Sequence, residues 1–429
     1  MTHIMIVGGG IAGLTAALAL HTAGFERITV VEAAPEIRPV GAGLNIMPNA
    51  VRELDALGVL DRIEEHAVRT RELRYYHRSG CLISRDPRGL AAGYNWPQLS
   101  VHRGALQLTL AEAVRDRLGE SALLSGVRVT RVDRLDGGRP RVTLEHSDGA
   151  RRGRASLEPD LLIGADGIRS AVRAALRPGE GEPPWNGMLV WRGISRVPAH
   201  RAGDFMLIAG DDRLRAVVYP ISEPADGGDV LVNWALAAPS ETAGDTFRGD
   251  WNRSVAVAAF AGRFAGWEFD GVSVPEILHA ADAAYEYPMV DRDPLPLWSR
   301  GRTTLIGDAA HAMYPIGSNG ATQSIVDGRA LAHALAGHRD PVAALTAYEA
   351  DRRPAMTRLQ LSNRQKGPEV VIDLAHRRAP GGFTDIRDVI PEAELTGIAA
   401  RYAATGAFDP QSVNQGSPYG GTVGGRGRG

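Results

Sequence analysis

The sequence is poor in the residues that would commit it to several large classes of protein. Among its 429 residues there is one cysteine, Cys81, which has no partner in the chain for a disulfide and so fits a reducing compartment. Lysine is as scarce: Lys366 stands alone, followed by Gly-Pro rather than preceded by a glycine loop. That argues against a P-loop nucleotidase, whose lysine reaches the phosphates, and against a lysine Schiff-base enzyme. No window approaches the roughly 20 uninterrupted apolar residues of a membrane-spanning helix, and the N-terminus lacks the basic patch of a secretory signal. Charge of one sign is missing too. With 48 Lys and Arg against 50 Asp and Glu there is no basic field to hold nucleic acid or an anionic membrane. The expectation is a cytoplasmic protein, monomer or homodimer, that meets small molecules at local sites.

What the chain has in abundance is glycine, 51 residues, and apolar side chains, 44% of the total. At this length one core is too few, and two domains are expected. The opening reads as a strand over 3–7, a glycine turn over 8–13, a helix to about residue 23 and a strand over 28–32. That is a βαβ unit of a parallel sheet. Helical patterns follow at 49–57 and 104–118, then a strand pair at 127–135 and 141–146 around "DGGRP". "PDLLIGADGIRSAVRAAL" gives another strand, turn and helix. From Trp185 onward, runs such as "MLVWRGIS" and "DVLVNWALA" predict an antiparallel sheet with one buried face.

The expected architecture is therefore α/β. A discontinuous Rossmann-like domain with a parallel sheet takes 1–72, 98–182 and 287–365, and an inserted antiparallel-sheet, substrate-binding domain takes 73–97 and 183–286. A C-terminal helical segment (366–412) and a glycine-rich tail expected to be disordered (413–429) complete the chain.

Gly8, Gly10 and Gly13 stand in G-x-G-x-x-G spacing between strand and helix, with Glu32 ending the next strand. Gly8 makes the tight turn, Gly10 lets the backbone approach a pyrophosphate, Gly13 lets helix and strand pack, and Glu32 accepts bonds from a ribose diol. The ligand so implied is NAD or FAD. Gly41 and Gly43 mark a further backbone approach to it or a plain turn. Arg103 opens a helix where its guanidinium meets a pyrophosphate or only solvent.

A second glycine turn lies far along the chain. At "TLIGD" (304–308) a strand ends in Gly307-Asp308, where Asp308 accepts bonds from sugar-like hydroxyls or simply caps the turn. Pro315, Gly317 and Gly320 make a loop without bulk, and a helix over 321–335 turns the free N–H groups of Ala321 and Thr322 toward it. If an isoalloxazine lies there, the helix dipole stabilises the negative charge of reduced flavin. The two turns would then grip the two ends of one FAD.

Taken together, "GGGIAG" with Glu32, "GADGIRS" (164–170) and "GDAAHAMYPIGSNG" (307–320) resemble the class A flavoprotein monooxygenases of the para-hydroxybenzoate hydroxylase family, over residues 1 to about 365. The resemblance implies tightly bound, non-covalent FAD, NADPH or NADH as a transient co-substrate, and no metal. It also implies insertion of one oxygen atom from O₂ into an aromatic or heteroaromatic ring through a flavin C4a-hydroperoxide. N-oxidation, epoxidation, oxidative decarboxylation and a non-catalytic flavin-binding protein are the alternatives. On this chain the resemblance assigns Asp166-Gly167 to FAD and NADPH, Arg103 to FAD, Asp308 to the ribityl chain and Pro315 to the side of the flavin. The expected cofactor contacts also include Ala12, Ala33 and Val127. Thr322 departs from a common asparagine, and Asp327-Gly328 from a frequent Asp-Ala.

The loop "MYPIGSNGATQS" with "NRQKGPE" (363–369) is similar to the branch containing methylphenazine-carboxylate monooxygenase, which makes a phenazine-like ring the specific expectation. Trp191, Arg192, Tyr219 and Trp234 are expected to form an aromatic and cationic wall of the substrate cavity, unless the aromatics fill the sheet's core. His311 either orients a proton near the flavin or is a hydrogen-bonded structural histidine. No side chain is assigned as general acid or base.

Overall fold

The computed structural model describes residues 2–39, 41–135, 138–146, 154–224, 228–241, 253–406 and 408–420. Five short strands of aliphatic residues form a wholly parallel sheet in the order Thr303–Leu305, Leu161–Gly164, Ile4–Val7, Ile28–Glu32, Leu123–Ser125. Such strands are apolar on both faces because crossover helices cover both. The helix Ile11–Thr22 is buried from Ile11 through Leu20 and packs on the long helix Asn319–Gly337. Gly328 permits that contact: a Cβ there would lie 2.9 Å from the Ala16 nitrogen. The glycine that departs from the family's Asp-Ala is thus a packing residue.

The helices expected at 49–57, 104–118 and 321–335 are Pro48–Ala56, Arg103–Leu118 and Asn319–Gly337. The strand pair is Val127–Asp133 and Arg141–His146, and its turn includes residues 136–137, which lie outside the described residues.

An eight-stranded sheet runs Arg253–Val255, Ala284–Val290, Trp185–Pro198, Asp229–Pro239, Arg215–Pro220, Met206–Gly210, Glu72–His77, Leu82–Pro87. It is antiparallel except where Glu72–His77 pairs in parallel with Met206–Gly210. That strand comes from a distant segment, so no hairpin dictates its direction. Both faces are covered, where the alternating pattern suggested one. On one face Trp191, Val232, Trp234 and Leu236 pack against Phe260, Phe264 and Ile277. On the other, Tyr75, Met206, Ile208 and Tyr219 share a cluster with Val371, Ile372 and Ala375 of the helix Val370–Arg378.

The tail expected to lose structure at 413 keeps it to 420. Arg52 Nη1 donates to the carbonyls of Val413 and Gly416 at 2.9 Å, Arg329 Nη2 donates to that of Tyr419 at 3.2 Å, and the Tyr419 hydroxyl donates to Asp351 at 2.9 Å. Composition could not show this, because the partners that satisfy the tail's carbonyls sit on helices far away in sequence. The remainder, 421–429, lies outside the described residues. No described helix is long and apolar enough to cross a membrane.

Candidate active site

The three glycines of the first turn serve different ends. Gly8 adopts φ 108°, and a Cβ on it would lie 2.3 Å from the Ala165 carbonyl oxygen, so the turn nests against the "GADG" loop. Gly13 faces Gly8 just as tightly. Gly10 has an ordinary extended backbone (φ −79°, ψ −178°), and a Cβ there would meet no protein atom within 4 Å. No contact among the described residues requires that glycine, which leaves the space for a ligand.

Glu32 ties the turn together: Oε2 accepts from the Gly9 N–H at 2.8 Å and Oε1 from the Ala34 N–H at 2.7 Å. Each oxygen keeps a lone pair for a ribose. Ala33 lies between these contacts. The Gly126 N–H donates to the Ala34 carbonyl at 2.8 Å, which sets Val127 beside the same corner. Gln107, which the sequence reading missed, donates from Nε2 to the Gly9 carbonyl at 2.8 Å. It stands one helical turn after Arg103, the spacing that could have found it.

Two assigned residues have local work. The Asp166 carboxylate accepts from Ser170 Oγ and from the N–H groups of Ala171 (2.7 Å) and Val172 (3.3 Å), so it caps the helix Ala171–Leu176. Burial pushes its carboxyl up, and these donors pull it partly back. Gly167, at φ 75°, completes that turn. Gly43 is a glycine because the inserted sheet comes close. A Cβ would lie 2.7 Å from that of Asn233, whose Oδ1 accepts the Gly43 N–H at 2.7 Å.

The second turn touches the first. Gly307, at φ 58°, leaves room that a Cβ would fill to within 2.9 Å of the Ala12 Cβ. Asp308 follows, exposed although protein surrounds it, as on the floor of a cleft. That enclosure raises its carboxyl, while His311 and Arg103 act in the opposite sense. Neither Asp308 nor the exposed Arg103 guanidinium makes a side-chain hydrogen bond among the described residues.

Beyond lie exposed Pro315, Gly317 (φ 66°) and Ser318, a non-glycine residue in the left-handed region at φ 58° that opens the helix. Such backbone strain gathers at ligand sites. Gly320, like Gly10, has nothing within 4 Å of a Cβ, beside the N–H groups of Ala321 and Thr322. The Thr322 hydroxyl accepts from the Met47 N–H at 3.1 Å and donates to the Ser318 carbonyl at 2.8 Å, so replacing asparagine leaves the helix start anchored. His311 is fully buried, with Nε2 2.5 Å from Asp327 Oδ2, and is a structural histidine.

The sheet separates the four expected substrate residues. Trp191 and Trp234 point into the covered core: Trp191 stacks on Phe260 at 4.7 Å and donates to Glu286 at 3.0 Å, and Trp234 donates to Ser195 at 3.0 Å. Alternate residues of a strand take opposite faces, which puts Arg192 on the other side with Tyr287 and Tyr219. The Arg192 Cζ lies 5.6 Å from the Tyr287 ring centre. Its Nε is buried with no hydrogen-bond partner among the described residues, and burial pulls its pKa down. Tyr287 was not foreseen.

A parallel-sheet domain whose two glycine turns meet, faced by a large inserted sheet, defines a nucleotide-binding oxidoreductase. The pattern of the family described as FAD binding domain matches residues 1–241 and 289–361, and the chain belongs to that family. It is 44% identical over 367 residues to phenazine 1,6-dicarboxylic acid hydroxylase of Lysobacter antibioticus, covering 85% of this chain and 90% of that one. To 6-hydroxynicotinate 3-monooxygenase of Pseudomonas fluorescens it is 31% identical over 368 residues, 83% and 89% of the two chains. The structure of Klebsiella pneumoniae HpxO complexed with FAD and uric acid matches with a TM-score of 0.75 at 26% identity, covering 96% of this chain and 98% of that one. The protein is an FAD-dependent monooxygenase of aromatic compounds, with NAD(P)H as co-substrate.

Proposed function

We propose that this enzyme hydroxylates a planar heteroaromatic carboxylic acid of the phenazine type, bound between the Pro315 loop and the sheet face that carries Arg192, Tyr219 and Tyr287. One observation carries the reading: the buried, unpartnered Nε of Arg192. A guanidinium nitrogen buried without an acceptor is costly, and a carboxylate oxygen placed against it removes that cost. Tyr219 and Tyr287 add flat surface for a ring. The relatives' names, phenazine 1,6-dicarboxylic acid hydroxylase and 6-hydroxynicotinate 3-monooxygenase, denote aromatic carboxylates and support the choice.

The open positions at Gly10 and Gly320 and the free Arg103 and Asp308 fit FAD. In this reading Gly8, Gly10, Ala12 and Gly13 approach its pyrophosphate with Arg103, while Glu32, Ala33 and Val127 meet the adenosine end. Asp308 takes the ribityl hydroxyls, and Pro315, Gly317, Gly320, Ala321 and Thr322 line the ring. Asp166-Gly167 and Gly43 act indirectly, by shaping the turn and the contact between the sheets. When bound, FAD accepts a hydride from NAD(P)H and activates O₂. The chain's own part is to orient the ring and substrate and to keep water from the space between them. The domain division given above, NADPH or NADH as transient co-substrate, cytoplasmic residence and a monomeric or homodimeric state belong to the same reading.

The test is NADPH oxidation by the FAD-loaded enzyme with phenazine-1-carboxylic acid, phenazine-1,6-dicarboxylic acid and unsubstituted phenazine. The acids should stimulate oxidation and give a product about 16 mass units heavier, as insertion of one oxygen requires. Equal turnover of unsubstituted phenazine would sink the carboxylate anchor. Hydrogen peroxide as the sole product from both acids would sink the phenazine reading, and product structures separate hydroxylation from N-oxidation, epoxidation or loss of the carboxylate.

A further inference from the structure

We propose that Tyr402 is a positioning residue for the cofactor. From the helix Glu392–Thr405, which lies beyond the family match, it locks the Pro315 loop and the start of the Asn319 helix in the geometry that holds the flavin ring. The proposal rests on the FAD site described above. The Tyr402 hydroxyl accepts from Asn319 Nδ2 at 2.9 Å and donates to Asn363 Oδ1 at 2.9 Å, with the Ile316 carbonyl 3.3 Å away. Asn319 Nδ2 also donates to the Gly317 carbonyl at 2.8 Å, and Asn363 Nδ2 lies 3.2 Å from the carbonyls of both Tyr314 and Ile316. Every backbone acceptor from Tyr314 to Gly317 named here is thus held by one buried cluster.

Gly317 is part of the lock, since a Cβ there would lie 2.1 Å from the Tyr402 oxygen. The cluster continues to the second glycine turn, at Gly307. Gln323 Nε2 donates to Asn319 Oδ1 at 3.0 Å, Arg352 Nη2 donates to Gln323 Oε1 at 2.7 Å, and Arg352 Nε donates to Asp327 Oδ1 at 2.9 Å. Asp327 Oδ2 in turn accepts the Gly307 N–H at 2.9 Å. An unbroken chain of buried polar side chains therefore joins the Gly307 turn to the Pro315 loop and ends on the C-terminal helix. Satisfied networks of this kind specify one geometry, and a half-satisfied one does not. Without the hydroxyl the loop relaxes, FAD binds less tightly, and a larger share of turnover leaks: O₂ takes the hydride of NADPH and a proton to become H₂O₂, and NADP⁺ is left.

The experiment is FAD titration of the apoprotein, read by flavin fluorescence, for the wild type, Tyr402→Phe, Asn363→Ala and Tyr94→Phe. Tyr94 donates to the Phe408 carbonyl at 2.7 Å, so it anchors the same C-terminal segment without touching the loop. Tyr402→Phe and Asn363→Ala should each weaken FAD binding roughly tenfold, the net worth of about one buried hydrogen bond. Both should raise the H₂O₂ yield per NADPH, while Tyr94→Phe leaves both readouts unchanged. Unchanged FAD affinity in Tyr402→Phe overturns the proposal, as does an equal loss in Tyr94→Phe, which would mark general anchoring of the segment. If Tyr402→Phe does not fold, unchanged affinity in Asn363→Ala overturns it. A wild type that binds no FAD would instead refute the flavin site itself.

Discussion

A Cβ on Gly13 would lie 2.0 Å from the Gly8 carbonyl oxygen, whereas one on Gly10 would meet no protein atom within 4 Å. The two glycines of one motif therefore answer to different constraints. Gly13→Ala is expected to abolish or sharply destabilise folding of the apoprotein. Gly10→Ala should leave the apoprotein's thermal midpoint at or above that of the wild type, because alanine restricts the unfolded chain, and should weaken FAD binding. Thermal melts with and without FAD check both, and a Gly10→Ala variant with normal FAD affinity would refute the role given to that open space.

Arg192 faces Tyr287 and leaves a buried Nε unsatisfied. Arg192→Met removes a half-buried charge whose Nε has no acceptor among the described residues, so stability should hold or rise. The KM for a phenazine carboxylate should increase about tenfold to a hundredfold, the range of one charged hydrogen-bonded contact of about 1.5–3 kcal/mol. Steady-state NADPH oxidation measures this. A KM unchanged by the substitution would remove Arg192 from the substrate site.

Trp234 is packed in the covered core of the sheet, donating to Ser195 and filling the space over Gly193, where a Cβ would lie 2.2 Å from its ring. Trp234→Ala should cost about 3–5 kcal/mol of stability and leave the KM of the folded fraction unchanged. Denaturant melts paired with kinetics decide between core and cavity wall. A large KM effect with little loss of stability would restore the cavity wall.

His77 is fully buried, with Nδ1 2.7 Å from Ser79 Oγ and Nε2 2.9 Å from His376 Nδ1. Burial first, and then neighbouring His376 and Arg78 against the pull of Asp211, holds its pKa below the ordinary histidine value of 6.5. A histidine lowered in the folded state binds its proton more readily when unfolded. Its contribution to stability is therefore complete above the unfolded value and is lost as pH falls below about 6.5 toward the folded value. The thermal midpoint should drop between pH 7 and 5, and His77→Gln should flatten part of that slope; an identical slope in the variant would refute the assignment. Asp327 adds a lower window. Burial alone would raise it, but His311 and Arg352 outweigh that and lower it, so its support for the Gly307 turn fails only below about pH 4.

Much of this molecule is legible in one dimension. The glycine turns, the acid at residue 32, the βαβ opening and the sheet insertion follow from local patterns, because phosphate-binding turns and strand alternation are short-range constraints. Face and partner were harder to read. Trp191 and Arg192 are adjacent in sequence, and only the pairing of their strand decided that the indole enters the core while the guanidinium turns to the opposite face.

By itself, then, the sequence determined the class of chemistry: an FAD-type turn at Gly8–Gly13, a second one at Gly307, and the loop from Pro315 to Gly320. Tertiary structure decided how they cooperate. Ala12 rests against the space left by Gly307, Asp166 caps a helix, and Tyr402 closes on Gly317 from a helix 85 residues further along. The physical reason is that those contacts join residues whose local sequence carries no trace of one another, and only the folded chain brings donor, acceptor and missing side chain to the same place.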